Sequence, residues 1–463
     1  MNIIPQNSEN NNIFVKSIIN FVKENKVMRA LKKANYCKEK GIPTHDIFCY
    51  LLQLVYTGKS MYMNYQTENN EPKFGKDAVY RFLNSTQINW QKFLLQLSGA
   101  VINEKLVNLT SEKRTNAIVV DDSFYGRLKS KNVELLSKVF DHAAIGNKFK
   151  RGFRMLTVGW TDGSTFTPLV SNLQSSANKK SRYCEMKEGL NKNSVAYKRR
   201  NQAISKSTDV LIEMLKDVIK AGIPAKHVLF DSWFSFPATI IKIVKLKLHV
   251  VGRLKNTPKL KYIVDGEKKT LAQIYNSKRK RPGRSKYLLS MLAQIYDKED
   301  NILDVRIVFV RDRSNKKKWI GFICTDLNLT EEEVIAFYGK RWSIEVFFKI
   351  CKSYLNLGKE FQSLSYDAIT AHTAIVMTRY IMLAIENRNN EDSRTMGELF
   401  FLVYDELCDI QLPQVLMIIL EILKETLYEM LFLEDKQIEA FIDAFMTKLP
   451  KYITEKLVLK KVA

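Results

Sequence analysis

With 463 residues, 46% hydrophobic content and a net charge of +24, the chain is long enough for more than one packed unit and basic enough to expect an anionic partner. Its six cysteines (Cys37, Cys49, Cys184, Cys324, Cys351 and Cys408) stand far apart with no C-x-x-C pair, which argues against a disulfide framework or a zinc site and for reduced thiols. The opening MNIIPQNSENNN lacks a signal pattern and Glu421 interrupts the best apolar run, VLMIILEIL, so neither export nor membrane insertion is expected, and the location expected is cytoplasmic.

The charge is uneven: from Glu391 onward 14 acidic residues face 8 basic ones, so the first 390 residues carry the whole excess. After the Asn-rich start, residues 13–33 show helical periodicity. A second helix is expected to open at Pro43-Thr44, with Thr44 as cap, and to stop at Gly58. GKDAVYRFLN begins a third, bearing Lys76, Tyr80 and Arg81, and a fourth runs from Trp90 to Leu109. Small helices with a basic, aromatic member suit a helix-turn-helix DNA reader, and equally an ordinary helical bundle.

From Arg114 the pattern changes to strands. AIVV is an apolar β run expected to end in Asp121-Asp122-Ser123, with FRMLTVGWTDG as hairpin partner and FTPLVSNLQSS as a further strand. A long helix is expected from Ser194 to Ala221, basic at Lys198, Arg199 and Arg200, before HVLF delivers Asp231 at the end of another apolar strand. Strands, helix and strand in this order predict an α/β sheet with acids at strand ends, where active groups commonly sit.

Between Val250 and Asp326 short strands and turns follow one another, giving a β-rich insertion that contains the basic turn KRKRPGR. Next comes YGKRWSIEVFFKICK. At about 100° of rotation per residue, Tyr338, Arg341, Glu345 and Lys352 project within roughly 60° of one another, with Lys349 beside them. A carboxylate flanked by cations and a phenol can hold a metal-bound phosphate; a solvated face with i,i+4 pairs has the same pattern. Trp342, Ile344, Val346, Phe347 and Ile350 are expected to bury the other faces. Beyond Ala368 apolar helices dominate, and the acidic tail suggests a packing or dimerisation surface.

Asp121, Asp231 and Glu345 would repel at one sheet edge unless cations intervened. Two divalent ions bridging them would activate a water or a 3′-hydroxyl for in-line displacement at phosphorus. Each strand-end Asp is open to a plainer role as turn or cap residue. The histidines His142, His227, His249 and His372 show no metal-ligand spacing.

VVDDS, VLFDSWF and Y-(2)-R-(3)-E-(6)-K in this order resemble the DDE transposases of the insertion-sequence type called IS-four, with its Y-R-E-K signature. The resemblance implies a prokaryotic enzyme with an α/β, RNase-H-like catalytic core interrupted by a β-strand insertion. It divides the chain into a helical DNA-binding region (1–110), the two parts of the core (111–250 and 327–390), the insertion (251–326) and a helical C-terminal region (391–463). By that similarity Asp121, Asp231 and Glu345 are the catalytic, metal-binding triad for two Mg²⁺ ions, which Mn²⁺ replaces. Asp121 is chosen over Asp122 because Ser123 completes the family pattern Asp, any residue, then Thr or Ser. Tyr338, Arg341 and Lys352 would contact phosphates near the cut, with Lys349 beside them, and Trp319 would stack on a flipped base in members that excise through a hairpin. A core tryptophan in a β-sheet is the competing reading of Trp319.

The function this implies is a transposase that binds terminal inverted repeats of double-stranded DNA, cuts, and joins the 3′ end to target DNA as a homodimer. An RNase-H-like nuclease without strand transfer and an inactivated DNA-binding relative are the alternatives.

Overall fold

The computed structural model describes residues 11–389 except 38–39, 58–59, 66–73, 111–113, 142–147, 283–284, 313–314, 316–317 and 361–362, with a few isolated positions between 427 and 445. The Asn-rich start, His142, the end of the basic turn 278–284 and nearly all of the expected C-terminal helical region lie outside the described residues.

The apolar runs pair into one sheet of eleven described strands. Its first half is β1 (Ala117–Gly126), β2 (Ser137–Phe140), β3 (Phe149–Thr161), β4 (Phe166–Gln174), β5 (His227–Phe230) and β6 (His249–Arg253). The second half is β7 (Tyr262–Val264), β8 (Glu267–Lys269), β9 (Leu289–Tyr296), β10 (Ile302–Arg311) and β11 (Trp319–Cys324). β1 lies between antiparallel β3 and parallel β5, β5 continues to parallel β6, and β4 pairs with the far side of β3. This gives the order β4-β3-β1-β5-β6 at the centre. Val119, Val120, Val228, Leu229, Val250 and Val251 in the central strands are all buried, as strands covered on both faces require. Gly159 sits where the Phe166 ring packs against the β3 backbone, a position with no room for a Cβ.

The strands expected between Val250 and Asp326 join the central sheet: β11 pairs antiparallel with β6, and β10, β9, β7 and β8 follow outward. β1 also runs further than its apolar letters suggest. It passes through Asp121 and Asp122 to Gly126, because β3 keeps pairing with it residue by residue, with Asp121 opposite Thr157 and Gly126 opposite Gly152.

The N-terminal helices are α1 (Asn11–Glu24), α2 (Val27–Lys33), α3 (Thr44–Gln53), α4 (Met61–Tyr65), α5 (Lys76–Leu83) and α6 (Trp90–Val101). The expected single helix over 13–33 is broken at Lys26, which takes a left-handed conformation. Pro43, not Thr44, is the N-cap of α3; the Thr44 hydroxyl instead donates to Tyr36 Oη at 2.8 Å. The helix expected over 194–221 is two, α7 (Val195–Ala203) and α8 (Ser207–Lys220). The end of β4 breaks it: Gln174 Nε2 donates to the Gln202 carbonyl and Ser175 N–H to that of Ala203, which removes acceptors a continuing helix needs. Gly222, at φ 69°, ends α8.

The remaining helices are α9 (Pro237–Lys245), α10 (Leu271–Ser277), α11 (Glu331–Gly339), α12 (Trp342–Ser353) and α13 (Tyr366–Asn389). Residues Tyr366–Arg388 are long and apolar enough to cross a membrane, a span the sequence reading passed over, yet 94% of that window is buried inside the protein. α13 is therefore the spine of the core, packed on α3, α5, α6, α12 and β4. It carries its own buried charges. Arg379 donates to Glu360 at 2.8 and 2.9 Å and to the Leu51 carbonyl of α3, and His372 Nε2 lies 3.0 Å from Glu360. This network ties α3 to α13 and to the segment carrying Glu360, since an unpaired charge at that depth would be costly.

Candidate active site

The register of the two parallel strands sets the site. Val120 of β1 stands beside Phe230 of β5, so the next residue of each, Asp121 and Asp231, emerge side by side. In a strand neighbouring residues point to opposite faces, and the structure separates the adjacent acids accordingly. Asp121 and Ser123 face α12, whereas Asp122 turns away and pairs with Arg154 at 3.1 Å. Of the two, Asp121 is the one that meets the Arg341 side chain, which in turn holds Glu345.

α11 starts with a capping box in which Thr330 and Glu333 satisfy each other's backbone N–H groups. The single helix expected through Tyr338 and Glu345 is divided at Lys340-Arg341. There the amides of Lys340 and Arg341 bond three residues back, to Phe337 and Tyr338, in a tightened turn. Lys340 Nζ fixes that turn by donating to the Thr115 carbonyl at 2.6 Å, just ahead of β1. Because both turn residues keep right-handed helical dihedrals, Tyr338 still approaches Arg341.

Arg341 is the hub. Its Nη1 donates to Asp121 Oδ2 at 2.9 Å, its Nη2 donates to Glu345 Oε1, and its guanidinium lies 5.5 Å from the centre of the Tyr338 ring. Tyr338 packs on Phe322 of β11, and burial pushes its phenol up to about 12, with Asp231 adding to the effect and Arg341 and Arg253 opposing it. Lys352, one helix length further on, donates to Ser123 Oγ at 2.6 Å, and burial pulls its ammonium below the ordinary lysine value. Lys349 is exposed and Glu345 only partly covered. Arg341 thus joins Asp121 of β1 to Glu345 of α12, with Tyr338 against the same guanidinium and Lys352 on Ser123. Trp342, 63% exposed, and Val346 are not in the core as expected; they share the outer face of α12 with Lys349.

Trp319 begins β11, stacked on Tyr275 at 4.9 Å and edge-on to Phe309. Phe322 of β11 is opposite Arg253 at the end of β6, so Trp319 lies three residues, or about 10 Å, beyond that level on the side of the sheet where Asp231 emerges. Two basic residues singled out by their charge have structural partners instead. Arg199 and Arg200 are buried, bonded to Asp367, and Arg200 also to Glu134. Sequence reasoning missed Arg154, which pairs with Asp122, and Trp233 and Lys255, which meet it two residues past Asp231; the one signal was the tryptophan itself.

Asp121 shows what the cleft lacks. Burial raises its carboxyl from 3.8 to about 7, Asp122 and Asp231 push the same way, and Arg341 opposes them. Such a pocket is short of positive charge, and its donors are carboxylate oxygens, the set that suits a hard divalent cation. Asp121 and Asp231 fit such an ion. Glu345 is held by Arg341, and no ready-made cluster of three acidic, histidine or cysteine ligands is present among the described residues.

A central sheet in this order, with aspartates on adjacent parallel strands and a glutamate on the helix across them, is consistent with the RNase-H-like class of phosphoryl-transfer proteins. The family described as DDE superfamily endonuclease matches residues 44–291, more than half of the chain, and the chain belongs to that family. The match includes Asp121 and Asp231 and ends before α11, so the place of Glu345 rests on the geometry above. No curated protein matches the chain. Membership makes the chain a DDE-type nuclease of a family that acts on DNA with divalent metal ions.

Proposed function

We propose that this protein is the DNA transposase of an insertion sequence, of the IS-four type, which binds terminal inverted repeats, cuts them and transfers the 3′ end to target DNA. The observation that carries this reading is the Arg341 bridge: one guanidinium joins the β1 aspartate to the α12 glutamate within a Y-R-E-K spacing. Asp121, Asp231 and Glu345 are the residues to hold two Mg²⁺ ions, or Mn²⁺ in their place. The ions, when bound, activate a water or a 3′-hydroxyl and stabilise the leaving oxygen.

Arg341 neutralises Asp121 and Glu345 before DNA arrives, then grips a phosphate oxygen, a role its planar fork suits. Tyr338 backs the guanidinium and offers its hydroxyl to the phosphate. Lys352 is anchored through Ser123 and Lys349 reaches from the exposed face, so both supply charge along the strand. Trp319, already stacked on Tyr275, presents an aromatic edge for an extruded base. No covalent enzyme intermediate is required, and synapsis of two ends calls for two protomers.

The test is strand transfer. A duplex carrying the element's own pre-cut end, with a free 3′-hydroxyl, is incubated with the protein, Mg²⁺ and a plasmid target. Joined product supports the transposase, while cleavage with no joining under Mg²⁺ or Mn²⁺ reduces the function to a nuclease. Trp319→Ala should retain the first nick and lose hairpin product; an unchanged hairpin yield would remove its stacking role.

A further inference from the structure

Asp122 has no part in the reaction above, yet it is held in place. Arg154 Nη1 of β3 lies 3.1 Å from its Oδ1, and Arg154 Nη2 also donates to the Phe140 carbonyl at 3.4 Å. So fixed, the Arg154 guanidinium lies 5.7 Å from the ring centre of Trp233, and Lys255 Nζ lies 6.0 Å from the same ring. Trp233 is 47% exposed, whereas Phe234 beside it is fully buried. The three side chains come from β3, from the turn after β5 and from the segment after β6. They meet two residues past Asp231, at the sheet edge where the acids emerge.

A large aromatic left half in water between two cations is a poor core residue and a good platform for a nucleobase, because every base has a π face and a neighbouring phosphate. Both cations stand near the outer limit of a cation–π contact, about 6 Å from the ring centre. The platform begins two residues past Asp231, on the face of the sheet that Asp122 and Arg154 share, and carries the charge complementary to a phosphodiester.

We propose that Trp233, Arg154 and Lys255 form a nucleotide site for the unpaired DNA strand beside the scissile phosphate. A base stacks on the Trp233 ring, the adjoining phosphate lies between Arg154 and Lys255, and Asp122 is the positioning residue for Arg154. The site rests on the reading of the acid cluster as the DNA-cutting centre, and it supplies a second aromatic contact besides Trp319.

The test uses the full chain in Ca²⁺ buffer with a forked duplex whose single-stranded arm carries one 2-aminopurine. Fluorescence reads stacking and anisotropy reads affinity; a fully paired duplex serves as control. The wild type should quench the probe. Trp233→Ala should lose the quenching and bind the fork about tenfold more weakly, with duplex affinity kept, and Trp233→Phe should retain most of both. Lys255→Ala should keep the quenching and lower the slope of log Kd against log salt by roughly one. Asp122→Asn should weaken fork binding less than Trp233→Ala, with an unchanged melting temperature. Equal quenching and affinity in Trp233→Ala, or an equal loss on forked and fully paired DNA, would overturn the proposal. Metal-dependent nicking of duplex by the wild type is scored in parallel. Its absence would refute the cutting centre, whereas nicking with no effect of Trp233→Ala on the fork would refute this site alone.

Discussion

Replacing Asp121 by Asn separates the chemistry of the acid cleft from the rest of the fold. In the native chain this carboxyl rises from 3.8 to about 7, chiefly through burial and then through Asp122 and Asp231. Charging it therefore costs the folded state on the order of 4 kcal/mol, at about 1.4 kcal/mol per tenfold change. The folded chain keeps this proton where the unfolded chain has lost it. The stabilising contribution is whole below about pH 4, falls as the pH rises, and is lost above about pH 7. Asp121→Asn cannot charge and loses nothing over that window. Between pH 5 and pH 8, without divalent ions, the wild type should lose about 3 kcal/mol relative to the variant, a few degrees in melting temperature. Millimolar Mg²⁺ at pH 8 should then raise the melting temperature of the wild type and leave the variant unmoved, because a ligand stabilises only the state that binds it. Calorimetry at two pH values, with and without Mg²⁺, gives all four comparisons. Parallel shifts of the two proteins with pH, and equal responses to Mg²⁺, would refute both the strained carboxyl and its role as a metal ligand.

Two further outcomes test the frame that holds the cleft. Arg379→Met strands the buried Glu360 and His372 without their guanidinium partner and should cost roughly 3–5 kcal/mol in urea unfolding; a loss below 1 kcal/mol would show that the network is dispensable. Gly159→Ala forces a methyl group into the Phe166 ring and should cost about 1–3 kcal/mol, read as a lower urea midpoint, and an unchanged midpoint would contradict that packing.

Hydrophobic runs bounded by acids were enough to find β1 and β5, and the pitch of a helix to set Arg341 beside Glu345, because strand runs and helical pitch are local properties. What escaped was set by partners distant in sequence. Asp121, Asp122 and Ser123 read as the end of a strand, since polar letters usually end one; here Arg341, Arg154 and Lys352 satisfy them, and β1 continues to Gly126. Arg199 and Arg200 read as the basic start of a helix, whereas Asp367 takes them both into the core. The split between α7 and α8 depends on carbonyls claimed by the end of β4. Trp342 follows an arginine in a largely apolar stretch and reads as core, yet α12 turns it to the solvent beside Lys349. Between Val250 and Asp326 strand letters were visible, but not that β11 would add to β6 and extend the central sheet.

The most direct test of the account is metal-dependent cutting at the acid cluster. Purified protein is incubated with a duplex carrying the element's own end, in Mg²⁺, beside Asp231→Asn and Glu345→Ala, and the strands are resolved on a denaturing gel while binding is followed by mobility shift. The account predicts a nick at the end by the wild type alone, with DNA binding largely retained in both variants. Full cleavage by Glu345→Ala, or binding without any nick by the wild type in either Mg²⁺ or Mn²⁺, would contradict it.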